Sequence, residues 1–294
     1  MNKHPRQLEC VSLTVPEAAL EVFEAALANV CETVGFFRDH DKETWRVEGV
    51  RTVGAKQNEL TSALALASMV SGVTPDLSII PVEADGWLAR TRAAFPEQFI
   101  GRRFAIRGTH LMSPLTPGRT TLVLDAAVAF GSGEHNSTRG CLIAFETVAR
   151  RKPRRILDLG TGSGILAMAA AKLLRRPVLA TDIEPWSVRV AGENAERNGV
   201  GKLVRPVLAD GWRTPAVRAG APYDLVFGNI LARPLKSMAR DLADHLAPGG
   251  TAILAGLLRT QARDVLAAHR RQGLILERII DLAPWATLVL RRRT

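Results

Sequence analysis

The sequence predicts an α/β protein: a doubly wound sheet covered on both faces by helices, preceded by a small α+β domain of ferredoxin-like order. Three observations carry this. Strand-like and helix-like runs alternate through the second part of the chain, the pattern that buries a parallel sheet between helices. One stretch, "ILDLGTGSGILAMAAAKL" from Ile156 to Leu173, is a strand, a glycine turn and a helix in eighteen residues. Charge also changes sign along the chain. Residues 1–100 hold 9 Lys+Arg against 14 Asp+Glu, and the remainder 30 against 15, which suggests two units with different partners.

The first unit is expected over residues 1–82. In "VSLTV", Val11, Leu13 and Val15 alternate as in a half-buried strand. Pro16 suits the first turn of a helix, and Leu20, Phe23, Leu27 and Val30 then share one helical face. "TVGFFRD" and "TWRVEGV" are strand-like runs around the polar turn "HDKE". A second helix aligns Leu60, Leu64, Ala67 and Val70, and "LSIIPV" closes as a strand. The order is βαββαβ, the split βαβ arrangement. With no aromatic strand on which RNA bases would stack, the module reads as a protein-recognition or structural element.

Residues 83–98 read as a linker helix ending near Pro96, with Trp87 packed against a domain. The second unit follows, over 99–294. "RRFAIRGTH" and "RTTLVLDA" are strands, and "EHNSTRGCLIAFETVAR" is a helix. After the glycine turn come the strand "PVLATDI", the helix "EPWSVRVAGENAERNG", and the strands "LVRPVLAD", "YDLVFGNI" and "TAILAGLL", with a helix before the last. "LILERIIDL" and "WATLVLRR" end the chain as an antiparallel pair.

With 294 residues, 47% apolar and 23% charged, the chain can bury a sizeable core and has ordinary globular composition. Cys10, Cys31 and Cys141 fit neither a disulfide framework nor a paired metal site, so they are expected as buried small hydrophobes, and no metal is expected. No apolar run is long enough to span a membrane, and "MNKHPRQLEC" leads into no apolar stretch, so a cytoplasmic location is expected. The net charge of +10 fits weak contact with nucleic acid, an anionic substrate, or merely a solvated basic face.

Ligands of doubly wound sheets sit beyond the carboxyl ends of the strands, at the switch point. Gly160–Gly164, Asp182, Asp210 and Asn229 each end a strand and so should ring one crevice. Gly162 permits close backbone approach at a helix N-terminus. Asp182, 22 residues beyond Gly160, can accept from two ribose hydroxyls. It could equally cap the next helix, and Glu184 competes for the ribose. To this point NAD and S-adenosylmethionine both fit. Asn229 in "YDLVFGNILARP" offers an amide to hold an acceptor amine toward a methyl donor. The polar loop "LDAAVAFGSGEHNST" precedes the glycine strand, where an ordinary NAD domain has none.

At these residues the chain resembles the PrmA family, methyltransferases of ribosomal protein L11. The family's loop is approximately D-P-G-x-A-F-G-T-G-x-H-x-T-T, against "DAAVAFGSGEHNST" at Asp125 to Thr138. "LDLGTGSGIL", "TDIEP" and Asn229 to Ala232 match further family segments. "AGLL", Ala255 to Leu258, stands for its S-G-I-L, and "APW" for its closing Trp segment. Ala126-Ala127 replace Pro-Gly, which loosens the turn before the loop. Ser132 and Ser137 replace threonines but keep the hydroxyl.

The resemblance implies a class I S-adenosylmethionine-dependent methyltransferase with a Rossmann-like sheet, acting on lysine and/or N-terminal amines of that large-subunit ribosomal protein. It assigns Thr138, Gly160, Asp182 and Asn229 to the cofactor, beside Gly162, which the turn itself suggests. Asp158 falls to the methionine end, Asp210 to the adenine amine, and Asn229 also to catalysis. Since ribosomal proteins are usually basic, the acidic balance of residues 1–82 makes them the expected substrate-recognition domain. His135 is read as structural rather than as a base. Two alternatives stand beside this. A nucleic-acid (rRNA) base methyltransferase shares the core, but those acting on exocyclic amines often carry Asn-Pro-Pro-aromatic where this chain has Asn229-Ile230-Leu231-Ala232. A cofactor-binding module without catalysis would follow if the loop departures matter. An NAD dehydrogenase fits least.

Overall fold

A computed structural model describes residues 8–39, 44–82, 97–109, 111, 113–124 and 136–294. The chain forms two compact units, Met1–Ala93 and Ala94–Thr294. Most of the expected linker helix, with Trp87, and the loop from Asp125 to His135 lie outside the described residues.

In the first unit, strand β1 is Leu8–Pro16, α1 Leu20–Ala28, β2 Thr33–Asp39, β3 Thr44–Thr52, α2 Gln57–Ser71 and β4 Asp76–Val82. The sheet order is β2-β3-β1-β4, with every pair antiparallel. This is the expected split βαβ arrangement. Period-two burial is clear on β1, where Val11, Leu13 and Val15 are all but inaccessible and Thr14 is exposed. Leu20, Phe23, Leu27 and Val30 are buried as their spacing predicts. Pro16 ends β1 and leads into a 3-10 turn rather than opening α1. On α2, Leu60 and Ala67 are buried while Val70 is 66% exposed. Ten residues of helix rotate Val70 about 80° away from Leu60, off the buried stripe.

In the second unit, β5 (Gln98–Ile100), β6 (Phe104–Gly108) and β7 (Thr120–Leu124) make a three-stranded sheet of their own. The chain continues through α3 (Asn136–Val148), β8 (Ile156–Leu159), α4 (Ile165–Leu174), β9 (Val178–Asp182), α5 (Pro185–Arg197), β10 (Val204–Leu208), α6 (Pro215–Gly220), β11 (Tyr223–Asn229), α7 (Ala232–Ser237) and α8 (Ala239–His245). It ends with β12 (Leu246–Leu258), α9 (Arg259–Arg270), β13 (Leu274–Leu282) and β14 (Trp285–Arg292). The main sheet runs β10-β9-β8-β11-β12-β14-β13. Strands β8 to β12 are parallel, and β14 is antiparallel to both of its neighbours.

Burial explains the sequence of the sheet and its helices. All four residues of β8 are buried, as expected of a strand covered on both faces. The run Ile165–Ala171 of α4 is buried on every side, so an amphipathic pattern there would be wrong. Phe145 of α3 stacks on Phe104 of β6 at 6.0 Å and meets Phe227 of β11 edge-on at 5.3 Å. The Asn198 side chain accepts from Val123 N (2.9 Å) and donates to Val123 O (2.7 Å), which pairs the otherwise open edge of β7. Of the cysteines, Cys141 is buried, and burial pushes its thiol pKa well up. Cys10 and Cys31 are only half-buried: Cys10 points to the less covered face of β1, and Cys31 lies on the connection between α1 and β2. Among the described residues, no group of His, Cys, Asp and Glu is placed to hold a metal, and no helix is long and apolar enough to cross a membrane.

Candidate active site

Strands β8 and β11 are neighbours, but the chain leaves β8 toward β9 and leaves β11 toward β12. Their carboxyl ends therefore flank an open crevice, the usual ligand position in such sheets. The turn after β8 holds Gly160, Gly162 and Gly164 at φ of 72°, 52° and 81°, values that cost an L side chain about 1–2 kcal/mol. Gly160 N and Thr161 N both donate to Thr181 O at 2.8 Å. Gly162 N donates to Asp182 Oδ2 at 2.9 Å, and Glu184 N to Asp182 Oδ1 at 3.1 Å. Asp182 thus ties the glycine turn to the end of β9. The residue at the N-cap of α5 is Glu184, not Asp182. Each Asp182 oxygen keeps a further acceptor site, since a carboxylate offers about four.

Asp158 is 1% exposed. Its Oδ2 accepts from Thr161 Oγ1 (2.6 Å) and Ala167 N (3.1 Å), while Oδ1 is buried without a partner. Burial raises its pKa to about 6, opposed by those two hydrogen bonds and helped by the negative charge of Asp182. Such an oxygen suits an incoming cation or N–H donor. Asp210 differs. It stands just beyond β10, largely exposed, and pairs with Arg213 at 3.2 Å, so a ligand would have to compete with that guanidinium.

On the other flank, Asn229 ends β11, and its Nδ2 donates to Thr138 Oγ1 of α3 at 3.2 Å. Thr138 is fully buried. The amide is thereby oriented, and its Oδ1 is left buried and unpartnered. The next residue, Ile230, is gripped by shape. A Cβ at Gly160 would lie 2.2 Å from Ile230 Cγ2, and one at Gly256 (φ 77°) 2.5 Å from Ile230 O. Leu231 then emerges 66% exposed. The structure thus brings Thr138, Asp158, Gly160, Gly162, Asp182 and Asn229 to one crevice and leaves Asp210 at its outer edge. His135 is outside the described residues.

Three contributors escape sequence reasoning. Ser163, in the glycine turn, has a buried hydroxyl with no partner. Ile230 and Gly256 set the seat of Asn229. Only the glycine within "AGLL" gave a signal, and only the approach of Ile230 gives it a meaning.

A seven-stranded sheet of this order, with its last strand inserted antiparallel beside β12 and a glycine turn at the switch point, defines a class I S-adenosylmethionine-dependent methyltransferase. The family model described as Ribosomal protein L11 methyltransferase (PrmA) matches residues 8–293, and the chain belongs to that family. Relatives named ribosomal protein L11 methyltransferase include those of Rhodopseudomonas palustris, 41% identical with 86% of this chain and 82% of the relative covered, and Bradyrhizobium diazoefficiens, 41% identical with 87% and 82% covered. The crystal structure of ribosomal protein L11 methylase from Lactobacillus delbrueckii subsp. bulgaricus is 29% identical, with a TM-score of 0.59 over 67% of this chain and 97% of that one. The chain is thus an enzyme of the methyltransferase class with S-adenosylmethionine as methyl donor.

Proposed function

We propose that the protein transfers methyl groups from S-adenosylmethionine to lysine side chains and/or the N-terminal amine of ribosomal protein L11, in the cytoplasm where that protein is made. One observation carries the choice of an amine acceptor: Asn229, oriented by Thr138, keeps a buried acceptor oxygen with nothing to bind. A buried acceptor left unsatisfied costs about 1–3 kcal/mol, and an amine N–H would relieve it.

Within this reading Asp182 receives the ribose hydroxyls, Asp158 the methionine end and Asp210 the adenine amine. Gly162 lets the ligand approach the main chain, and Gly160, whose side-chain space Ile230 fills, offers only its backbone. When bound, the cofactor supplies a methyl group made electrophilic by a positively charged sulfur. The chain's own task is to present a neutral amine, and only about one lysine in a thousand is neutral near pH 7.4. Asn229 Oδ1 accepts one amine hydrogen and fixes the lone pair's direction, and the apolar surface of Leu231 favours the uncharged form. Alignment then supplies most of the acceleration, and no dedicated base is required.

The acidic balance of residues 1–82 supports their use as the module that recognises a basic ribosomal protein, joined through residues 83–98 to the catalytic domain over 99–294. The basic balance of the second unit supports an additional, weak contact with ribosomal RNA. The test is incubation of the enzyme with label-donating cofactor, L11 and ribosomal RNA together. Methyl increments on L11 peptides are expected. Label in the RNA instead would overturn the reading in favour of a base methyltransferase.

A further inference from the structure

We infer that the amino-terminal edge of the catalytic sheet, opposite the crevice, is a docking face for the phosphate backbone of folded RNA. This locates the RNA contact proposed above and rests on it, but not on the identity of the methyl acceptor.

Two adjoining recesses lie at that edge. One is lined by Arg151, Lys152, Arg154, Asp224 and Thr251 among others, and the second by Arg103, Arg150, Lys152 and Arg176. They share Lys152 and Pro153. The acids nearby are turned to other tasks. Asp224 accepts from the main-chain N–H groups of Arg154 (2.8 Å) and Arg155 (2.9 Å), and Glu146 from that of Arg103 (2.7 Å). Glu277 pairs with Arg151 and Arg291. Among the described residues, no acidic side chain pairs with Arg103, Arg150, Lys152, Arg154, Arg175 or Arg176, and all six are exposed.

Helix dipoles account for part of this. Cations at helix C-termini are favourable, which covers Arg150 and Arg175. Arg103 and Arg154 stand instead on turns before β6 and β8. Backbone preference runs the other way. Lys152 and Arg175 occupy C-caps at φ 53°, positions where glycine is the ordinary residue. Charge is therefore present where the main chain would favour its absence.

The chemistry selects the partner. Guanidinium forks fit phosphate oxygens. No aromatic ring lines either recess, so bases are not stacked there. None of the exposed large apolar side chains lines them either, so the anchors of a protein interface are missing. Phosphates held this way are read without regard to sequence, and the crevice at the other end of the strands stays open for the methyl acceptor.

The test uses the full chain and a fluorescent RNA hairpin, titrated over a range of salt. The variant combines Arg150→Ala, Lys152→Gly, Arg154→Ala and Arg176→Ala, all on exposed side chains. It should bind the hairpin at least about tenfold more weakly near 0.1 M salt, with the slope of log K against log salt reduced by roughly three to four, at about 0.9 per phosphate lost. Cofactor affinity by calorimetry and methylation of free L11 should not change, which shows an intact fold. A wild type that does not bind the hairpin would remove the RNA contact altogether. Equal binding by variant and wild type would remove this face while leaving the contact elsewhere. Polyglutamate competing as well as RNA at equal charge would show an acidic-protein surface instead, and would also overturn the assignment.

Discussion

The two flanks of the crevice are built by different means. On the β8–β9 flank, hydrogen bonds do the positioning: Thr181 O and both Asp182 oxygens collect the N–H groups of Gly160, Thr161, Gly162 and Glu184. On the β11 flank, shape does it. Ile230 sits between Gly160 and Gly256, with no room for a Cβ at either, and Asn229 is fixed by one bond to Thr138. A hydrogen-bonded turn with spare acceptors suits holding a ligand. A sterically clamped turn with one oriented, unsatisfied oxygen suits aiming a second reactant.

The sharpest way to break that distinction is Asn229→Ala. Loss of the aiming group should lower the rate at saturating cofactor about 100-fold, the scale of a misplaced reactant, while cofactor affinity changes little. Initial rates and calorimetry on the same preparation separate the two. If rate and affinity fall together, Asn229 belongs to the ligand-holding flank. The mirror experiment is Asp182→Ala, which should weaken cofactor binding by about 1.5–3 kcal/mol through loss of charge-assisted hydrogen bonds. Unchanged affinity would pass the ribose to Glu184.

Gly256→Ala probes the clamp from beneath. Its φ of 77° and the 2.5 Å approach to Ile230 O should cost about 1–2 kcal/mol of stability from backbone strain alone and displace Asn229. Thermal unfolding should register the first effect, and a fall in rate with cofactor affinity preserved the second. A variant as fast as the wild type would show that Gly256 does not seat Asn229.

Much of this was legible in the sequence because local pattern and tertiary burial agree. Val11, Leu13 and Val15 alternate and are buried alternately, and "ILDL" is buried on both faces as its place in a doubly wound sheet suggests. Agreement failed where an element is short or its meaning depends on a distant neighbour. Gln98–Ile100 is three residues long, too short for any period, and its strand was absorbed into the linker reading. With it unseen, β6 and β7 read as part of the main alternation instead of a separate sheet. The helix α9 went unread between two strong strand signals, although its buried Val265, Ala268 and His269 follow helical spacing. Candidate site residues at strand ends were visible because strand ends are visible. The unpartnered oxygens of Asp158 and Ser163 were not, since a missing partner is a property of the packed structure alone.

The proton on Asp158 tests whether the hydrogen-bonded flank is complete without its ligand. Burial holds this carboxyl's pKa up at about 6 in the free protein, above the ordinary value of about 3.9. The folded chain therefore binds the proton more tightly than the unfolded chain does. The stabilisation is fully present below the unfolded pKa and is lost as pH rises to about 6, on the order of 3 kcal/mol in all. Asp158→Asn removes the buried charge, so the free variant should unfold at a higher temperature than the wild type at pH 7.5, and the two should converge near pH 4. Cofactor binding runs with the opposite sign. A cationic methionine end favours the ionised carboxylate, so wild-type affinity should rise about tenfold from pH 5 to pH 7 and then level off. In Asp158→Asn that pH dependence should vanish and the neutral-pH affinity should be the lower one. A variant whose binding keeps the wild-type pH profile would show that Asp158 is a packing group under the turn, and that the ligand is held from the Asp182 side alone.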